Sequence, residues 1–198
     1  MGFFGKTKPE SNKAKPINQT KAPTKDLDPM QPRAVHYAWQ SISAAIFMWL
    51  VLLIIDWVAQ SQILWAVAAA SIGASTFSVF VLPRSHQSNP FRIVGAYVVA
   101  VILGEGMRYV TYYFYTAVSY SAPMIPYTHI FEIGAAISFF ITLLALVALN
   151  VEHPPAAGLS LMLVLDIRDW ILVGVVLVAI IILAVIKLIF YAALRDLY

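Results

Sequence analysis

Six apolar segments constrain the fold of this chain more than any other feature of its sequence. Their approximate bounds are residues 39–55, 63–82, 93–117, 130–149, 156–165 and 170–194. A helix needs about 20 apolar residues to cross a bilayer, so only the fifth segment is clearly too short. Charged residues make up 12% of the 198 residues, against about 25% in soluble domains. The sequence therefore predicts an all-α polytopic membrane protein.

Residues 1–37 differ from the rest of the chain and predict a disordered basic cytoplasmic tail, followed by a transmembrane domain at 38–198. The tail carries six of the seven lysines and is interrupted by five prolines, with few apolar residues to bury. It lacks an apolar stretch near Met1, so we do not expect a cleaved signal peptide. The lysines act as a topology signal or bind anionic lipid or acidic partners, and both interpretations stay open.

The basic residues predict the orientation of the segments. If every segment changes side, the tail, the loop with Arg84 and Arg92, and the end with Lys187 and Arg195 share one side, and Arg168 faces the other. We therefore expect both termini to be cytoplasmic, in the plasma membrane of a prokaryote. Aromatic side chains at Trp57, Trp65, Trp170 and nearby tyrosines would mark the outer interface.

The order of the segments suggests a 3+3 inverted repeat, a common plan among transporters. Polar and small residues at 71–76 interrupt the second segment, and the string 153–158 occupies the corresponding place in the fifth. The prolines predict extended backbone at His153 and Pro154, with a half-helix starting at Pro155. Gly73 would let the second segment unwind.

Two half-helices that start inside the membrane would aim their free N–H groups at one point near the midplane. This predicts a small-anion site built from backbone amides and hydroxyl groups. Close helix packing through small residues, or a simple turn at the prolines, explains the same strings without a ligand. The predicted substrate-binding residues are Gly73, Ala74, Ser75, Thr76, Arg108, His153, Pro154, Pro155, Ala156 and Ala157.

Charged residues within or beside the segments are the candidates for proton coupling. Glu105 and Arg108 share a helix face, as expected of residues three apart, and we place them mid-membrane. They are either an ion pair that fixes helix packing or an anion-attracting arginine beside a proton relay. The proton-coupling candidates are Glu105, Glu132, Glu152 and His153. We predict no metal site and no cofactor, because no set of convergent ligands is evident.

Residues 152–157, Glu-His-Pro-Pro-Ala-Ala, resemble the motif for which the HPP family of integral membrane proteins is named. The Ser-Ile-Gly-Ala-Ser string at 71–75, the Leu-Pro and Asn-Pro pairs after it, and Gly95 also resemble that family. Family members often have Gly-Gly-His where this chain has Gly95, Ala96 and Tyr97, and they often carry a threonine where it has Leu159. The resemblance implies a small-anion permease, with nitrite as the expected substrate.

The sequence thus predicts a membrane transporter and not an enzyme, with the lipid bilayer and a small anion as partners. We expect no nucleic-acid partner, and homo-oligomerisation is left open. The alternatives are a channel for a neutral or cationic solute, an intramembrane enzyme that uses His153 and Glu152, and a non-transporting partner subunit.

Overall fold

A computed structural model describes residues 30–58, 62–121, 127–165 and 170–196 of the chain. These residues form six α-helices and a short 3-10 helix, and no strand occurs among them. The helices are α1 (Met30–Val58), α2 (Gln62–Val81), α3 (Pro90–Ser121), α4 (Tyr127–Ala148), α5 (Pro154–Leu165) and α6 (Trp170–Phe190), and the 3-10 helix is His86–Ser88. The all-α prediction is confirmed.

Four helices of the described chain are long and apolar enough to cross a membrane. These stretches are Tyr37–Val58, Pro90–Tyr120, Tyr127–Ala148 and Trp170–Phe190. Two shorter apolar helices accompany them, Trp65–Val81 and Pro154–Leu165. Because a spanning helix must be apolar over about 20 residues, the chain is an integral membrane protein with a short fifth helix, as expected.

One end of the bundle, which we call the basic end, joins the start of α1, the loop 82–89 and the end of α6. Gln40 of α1 donates from Nε2 to the carbonyl oxygens of Phe80, at 2.7 Å, and Arg195, at 3.0 Å. Lys187 of α6 donates to the carbonyl oxygen and the hydroxyl of Ser88. The basic end also carries Arg84.

The opposite end, which we call the aromatic end, is marked by Tyr115, Tyr127 and Trp170. The rings of Tyr115 and Tyr127 lie 5.0 Å apart, which joins α3 to the start of α4. Trp170, the first residue of α6, lies beside Arg108 of α3. Successive helices therefore alternate in direction between the two ends, including the short α5, which starts near the loop 82–89. This alternation agrees with the distribution of basic residues; which end is cytoplasmic stays a prediction.

The link from α4 to α5 is a tight turn that the local sequence explains. The N–H of Val151 donates to the carbonyl of Leu146, and Asn150 adopts the left-handed region with a φ of 57°. This is the Schellman geometry that ends many helices, and asparagine tolerates it better than most residues. Arg92 of α3 donates to Asn150 Oδ1 at 2.9 Å and ties the turn to α3. The turn leaves three residues before Pro154 begins α5.

Helix α5 packs against α2, α3 and α4 in the centre of the described bundle. Its contact with α3 is close because Gly104 has no side chain: a Cβ there would lie 2.8 Å from Leu163 Cδ1 and 3.0 Å from the Ser160 Cα. Gly134 allows a similar approach of α4 to Thr111 of α3. Small residues at helix contacts are typical of membrane bundles.

Two expectations about the helices need correction. Helix α2 is continuous from Gln62 to Val81, so the interruption expected at residues 71–76 is wrong. The Thr76 hydroxyl donates to the carbonyl of Ile72, and Ser75 Oγ lies 3.1 Å from that of Ser71, so both side chains are accommodated inside the helix. Helix α1 begins at Met30, inside the range assigned to the tail, whose first 29 residues lie outside the described chain. The inverted repeat stays a prediction.

Candidate functional site

Four buried polar side chains meet where α2, α3 and the start of α5 come together. We call Ser71, Ser75, Tyr97 and His153 the His153 network. The Tyr97 hydroxyl lies 2.7 Å from Ser71 Oγ and 2.8 Å from Ser75 Oγ, and Ser75 Oγ lies 2.8 Å from His153 Nε2. Tyr97 and Ser75 are fully buried, and His153 is 1% exposed. The network joins three helices without a formal charge.

The acceptor next to His153 determines the direction of the hydrogen bonds. His153 Nδ1 lies 3.1 Å from the carbonyl oxygen of Gln87. A carbonyl only accepts, so Nδ1 carries the proton and Nε2 of the neutral ring is an acceptor. The Ser75 hydroxyl must therefore donate to His153 Nε2, which leaves its oxygen free to accept from the Tyr97 hydroxyl.

Two hydroxyls of the network have a choice of acceptor. Tyr97 can donate to Ser75 Oγ or to the Ser71 carbonyl, which is 2.9 Å away. Ser71 can donate to the Tyr97 oxygen or to the carbonyl of Pro155 at 3.1 Å. Each hydroxyl has one proton to give. A rotation of either group can therefore present a donor to a third molecule while the backbone stays in place.

His153 lies in the loop between α4 and α5, outside the spanning helices. Burial lowers the pKa of its imidazole to about 4, because the surroundings disfavour the charged ring; the bond to Gln87 opposes this effect. The ring is therefore neutral near pH 7, in agreement with the tautomer that the Gln87 carbonyl requires.

Local sequence explains how the network forms. Ser71 and Ser75 are four residues apart, so their side chains share one face of α2. Proline at 154 and 155 keeps His153 extended and starts α5 immediately after it. Asn89 caps α3 by accepting from the Phe91 N–H at 3.0 Å, which places the helix that carries Tyr97.

The other predicted residues of α2 do not enter the network. Ala74 is exposed on the outside of the bundle. Thr76 points toward α1, where its hydroxyl lies 3.4 Å from Met48 Sδ. A Cβ on Gly73 would also meet Met48, at 3.6 Å. Of the four predicted residues at 73–76, only Ser75 is part of the site.

The predicted pair of helix starts facing each other is also wrong. Because α2 is continuous, it has no start within the segment at residues 71–76, and of the two expected helix starts only that of α5 is present. Its first two residues, Pro154 and Pro155, have no N–H to offer, and the Ala156 N–H donates to the His153 carbonyl at 3.0 Å. Pro154 is exposed, whereas Ala156 and Ala157 are buried without polar side chains. Side-chain hydroxyls, and not backbone amides, are the donors at this site.

Glu105 and Arg108 form an ion pair far from the network. Arg108 donates from Nε to Glu105 Oε2 at 2.9 Å, and its Nη2 lies 2.8 Å from the same oxygen. Along α3, Arg108 is 11 residues from Tyr97, a rise of roughly 16 Å, and 18 from Pro90, roughly 27 Å. It lies level with Trp170, the first residue of α6. The pair thus lies on the aromatic-end side of the network, and its depth in the membrane stays a prediction.

Arg108 forms part of a pocket of about 660 Å³ at the aromatic end. Its guanidinium carbon lies 5.1 Å from the centre of the Tyr109 ring and 5.9 Å from that of Trp170. These distances allow cation–π attraction. The remaining lining residues are Tyr112, Tyr127, Phe131, Val164 and Leu165. The structure thus separates the arginine and the buried hydroxyls into two sites.

The other proton-coupling candidates lie at the surface of the described chain. Glu132 pairs with His129 at 3.3 Å, and both side chains are more than half exposed. Glu152 is exposed, although its neighbour His153 is buried. No group of three His, Asp or Glu side chains in the described ranges could hold a metal ion.

Sequence reasoning missed the roles of Tyr97, Ser71 and the Gln87 carbonyl. Tyr97 stood out only as a departure, because it occupies the place where the similar sequences often have histidine. Both tyrosine and histidine are polar, and here they occupy a position inside an apolar helix. This was the available signal that residue 97 has a buried hydrogen-bonding partner. Ser71 could have been found from its spacing to Ser75.

Comparison with known families matches the chain to the family described as HPP, transmembrane region, over residues 29–197. The match covers all six helices. No curated protein and no solved structure matches the chain.

Proposed function

Because the chain belongs to the HPP transmembrane family, we propose that it is a permease for a small monovalent inorganic anion, nitrite or an ion of similar chemistry. The observation that carries this proposal is the His153 network, a set of buried hydroxyl groups on three helices beside a neutral imidazole. The protein is not an enzyme in this proposal, and its substrate leaves chemically unchanged.

Hydroxyl donors suit a small anion that has lost part of its water shell. The donors of Ser71 and Tyr97 have alternative acceptors, so each can turn toward an anion and replace a lost water. A hydrogen bond to a charged group contributes about 1.5–3 kcal/mol, more than a neutral one. A cation would be held best by carboxylate oxygens directed into the site, and both Glu105 and Glu132 lie elsewhere.

The neutral network favours passage over tight binding. A buried lysine or arginine would hold an anion strongly and slow its release, whereas a site must bind weakly enough for the ion to leave. The pocket at the aromatic end supplies the first contact for the anion. There one oxygen of Glu105 accepts from Nε and Nη2 of Arg108. The negative charge of Glu105 weakens the positive electrostatic potential around the guanidinium, and the remaining N–H donors of Arg108 stay available.

The orientation follows the positive-inside rule, with the basic end in the cytoplasm of a prokaryotic cell. An anion would then enter from the aromatic end, pass the His153 network and leave beside the loop 82–89. Proton coupling is compatible with this path, because the chain of hydroxyls ends on an imidazole. The residues that we assign to the path are Ser71, Ser75, Tyr97 and His153, with Arg108 at the entrance.

Purified full-length protein in liposomes tests the proposal. Uptake of nitrite, nitrate, formate and chloride is followed with and without a pH gradient, which also separates passive from proton-coupled transport. Ser75→Ala and Tyr97→Phe each remove one hydroxyl from the path. We expect either change to reduce nitrite uptake about tenfold, the loss of one hydrogen bond to a charged group.

Matched controls exist on the same helices. Ser78 is also buried on α2, but its hydroxyl donates to the Ala74 carbonyl and does not reach the network. Tyr113 is exposed on α3 and does not line the entrance pocket. Ser78→Ala and Tyr113→Phe should keep uptake within about twofold of wild type, since neither lies on the proposed path. Absence of uptake for all four anions by folded protein would refute the permease.

A further inference from the structure

A second pocket lies at the basic end, between the loop 82–89, the start of α3 and the end of α6. Its volume is about 490 Å³. Cationic or polar side chains from the loop and α6 line one part, and apolar side chains line the rest. The residues that matter here are Arg84, Ser85, His86, Phe91, Lys187 and Leu188. We call it the basic pocket. It lies apart from the His153 network, whose four side chains do not line it.

Lys187 is the unusual member, a cation buried on the most apolar helix of the protein. It is 3% exposed, and its ammonium group donates to the Ser88 carbonyl and, at 2.6 Å, to the Ser88 hydroxyl. Neither partner carries a charge, and no salt bridge joins Lys187 to a carboxylate within the described ranges. Burying a cation without a counter-charge is costly. An anion in the adjoining pocket would lower that cost.

The surroundings of Lys187 add positive charge and free donors. Arg84 and His86 are exposed and face the pocket from the loop. Asp196 lies close enough to interact with Lys187 electrostatically, but its Oδ1 accepts from the backbone N–H of Arg84 at 3.0 Å. The hydroxyl oxygen of Ser85 is buried and has no hydrogen-bond partner in the described part of the chain. A ligand with several oxygen acceptors would use these groups.

The rim of the basic pocket is apolar and faces outward from the bundle. Phe91, next to the first residue of α3, is 81% exposed, and Leu188, near the end of α6, is 57% exposed. Two helix termini meet here, so the pocket lies at the depth where lipid headgroups meet hydrocarbon. A cationic floor with an apolar rim at this depth fits an amphipathic anion better than a free inorganic one. Basic pockets between spanning helices bind anionic headgroups in this way.

We infer that the basic pocket binds the phosphate headgroup of an anionic phospholipid. Lys187, Arg84 and the Ser85 hydroxyl contact the phosphate oxygens, and the acyl chains lie along Phe91 and Leu188. The lipid would also brace the loop 82–89, whose Gln87 carbonyl orients His153.

Lipid binding to the purified full-length protein tests this inference. Native mass spectrometry in detergent counts bound lipid during titration with phosphatidylglycerol or with phosphatidylcholine of the same chain length. We expect phosphatidylglycerol to bind about tenfold more tightly than phosphatidylcholine, because the positive choline group offsets the negative phosphate of phosphatidylcholine. A parallel titration with inorganic phosphate, followed by thermal unfolding, distinguishes a lipid from a soluble ion.

The variants are chosen so that folding does not decide the outcome. Lys187→Gln removes the buried cation. The double change Arg84→Gln and His86→Gln alters only exposed side chains and should weaken phosphatidylglycerol binding about tenfold. The control is Arg195→Gln, which removes one exposed positive charge at the same end but does not line the pocket. It should leave binding within about twofold.

Three results would overturn the inference. The first is equal affinity for the two lipids in the wild-type protein. The second is unchanged phosphatidylglycerol binding in the Arg84/His86 double variant, or an equal loss in the Arg195 control, which would indicate a general charge effect. The third is stabilisation by inorganic phosphate through Arg84 and His86 without any lipid preference, which would assign the pocket to a soluble ion.

Discussion

The protein places two polar groups inside its helical bundle and builds them in opposite ways. The His153 network is neutral, fully buried and shared by three helices. The Glu105–Arg108 pair is charged, lies near the aromatic end and belongs to a single helix. Removing a member of the His153 network leaves hydrogen-bonding groups on other helices without a partner. Removing the Glu105–Arg108 pair breaks hydrogen bonds within α3 alone. The comparison teaches that the neutral network joins separate helices by hydrogen bonds, whereas the hydrogen bonds of the ion pair stay within one helix.

Replacement of His153 by alanine should have the largest effect on stability. The change leaves the Ser75 hydroxyl and the Gln87 carbonyl without their partner and opens a cavity at the start of α5. Together these losses should cost about 3 kcal/mol of the free energy of unfolding. Thermal unfolding in detergent measures it. His129→Ala, at an exposed position, should change stability by less than about 0.5 kcal/mol. Equal effects of the two variants would contradict a stabilising role of the His153 network.

The pH dependence of stability should reveal the same histidine. Its pKa is lowered from 6.5 to about 4 in the folded protein. Between these values the unfolded chain takes up a proton that the folded protein refuses, so stability falls as the pH drops through this range. Above about pH 6.5 the full stability is present. We expect the difference between wild type and His153→Gln to shrink by roughly 3 kcal/mol from pH 7 to pH 4; a constant difference would contradict the neutral buried ring.

The ion pair should matter less. Arg108→Gln leaves the buried Glu105 carboxylate without its partner and should cost about 1–2 kcal/mol. The double variant Glu105→Gln with Arg108→Gln removes both charges, and most of that cost should disappear. Thermal unfolding of the two single variants and the double variant forms the cycle. A double variant as unstable as His153→Ala would show that the pair also joins helices.

The smallest effect is expected at the exposed pair of His129 and Glu132. Both side chains are more than 60% exposed and lie 3.3 Å apart. Such pairs contribute little because water and salt screen them. Glu132→Gln should change the free energy of unfolding by about 0.3 kcal/mol or less, and its uptake of nitrite in liposomes should match that of wild type. A marked loss of uptake would restore Glu132 as a proton-coupling group.

The short fifth helix was predictable because its causes are local. The two prolines after His153 suit the first turn of a helix, and the apolar stretch behind them is short. The helix bounds Pro154–Leu165 differ little from the expectation. The alternation of the six helices between the two ends was predictable for a related reason, because basic residues concentrate at the ends that share a side.

The continuity of α2 was not predictable in the same way. Gly73 and the hydroxyl residues around it read as a break, but serine and threonine can return their hydroxyls to the carbonyl four residues earlier. Whether they do so depends on the neighbouring helices. Ser75 contacts Tyr97, 22 residues away, and His153, 78 residues away. Both contacts arise only from the tertiary packing of the helices. Spacing within one segment carries no information about it.

The brevity of α5 also sets the distance between the two sites. Twelve residues rise about 18 Å, well short of the roughly 30 Å hydrocarbon thickness of a bilayer. The pocket beside Arg108 lies at the end of α5, and the buried hydroxyl chain lies at its start. If the proposed permease carries an anion between them, the charge travels the length of one short helix rather than a full membrane thickness.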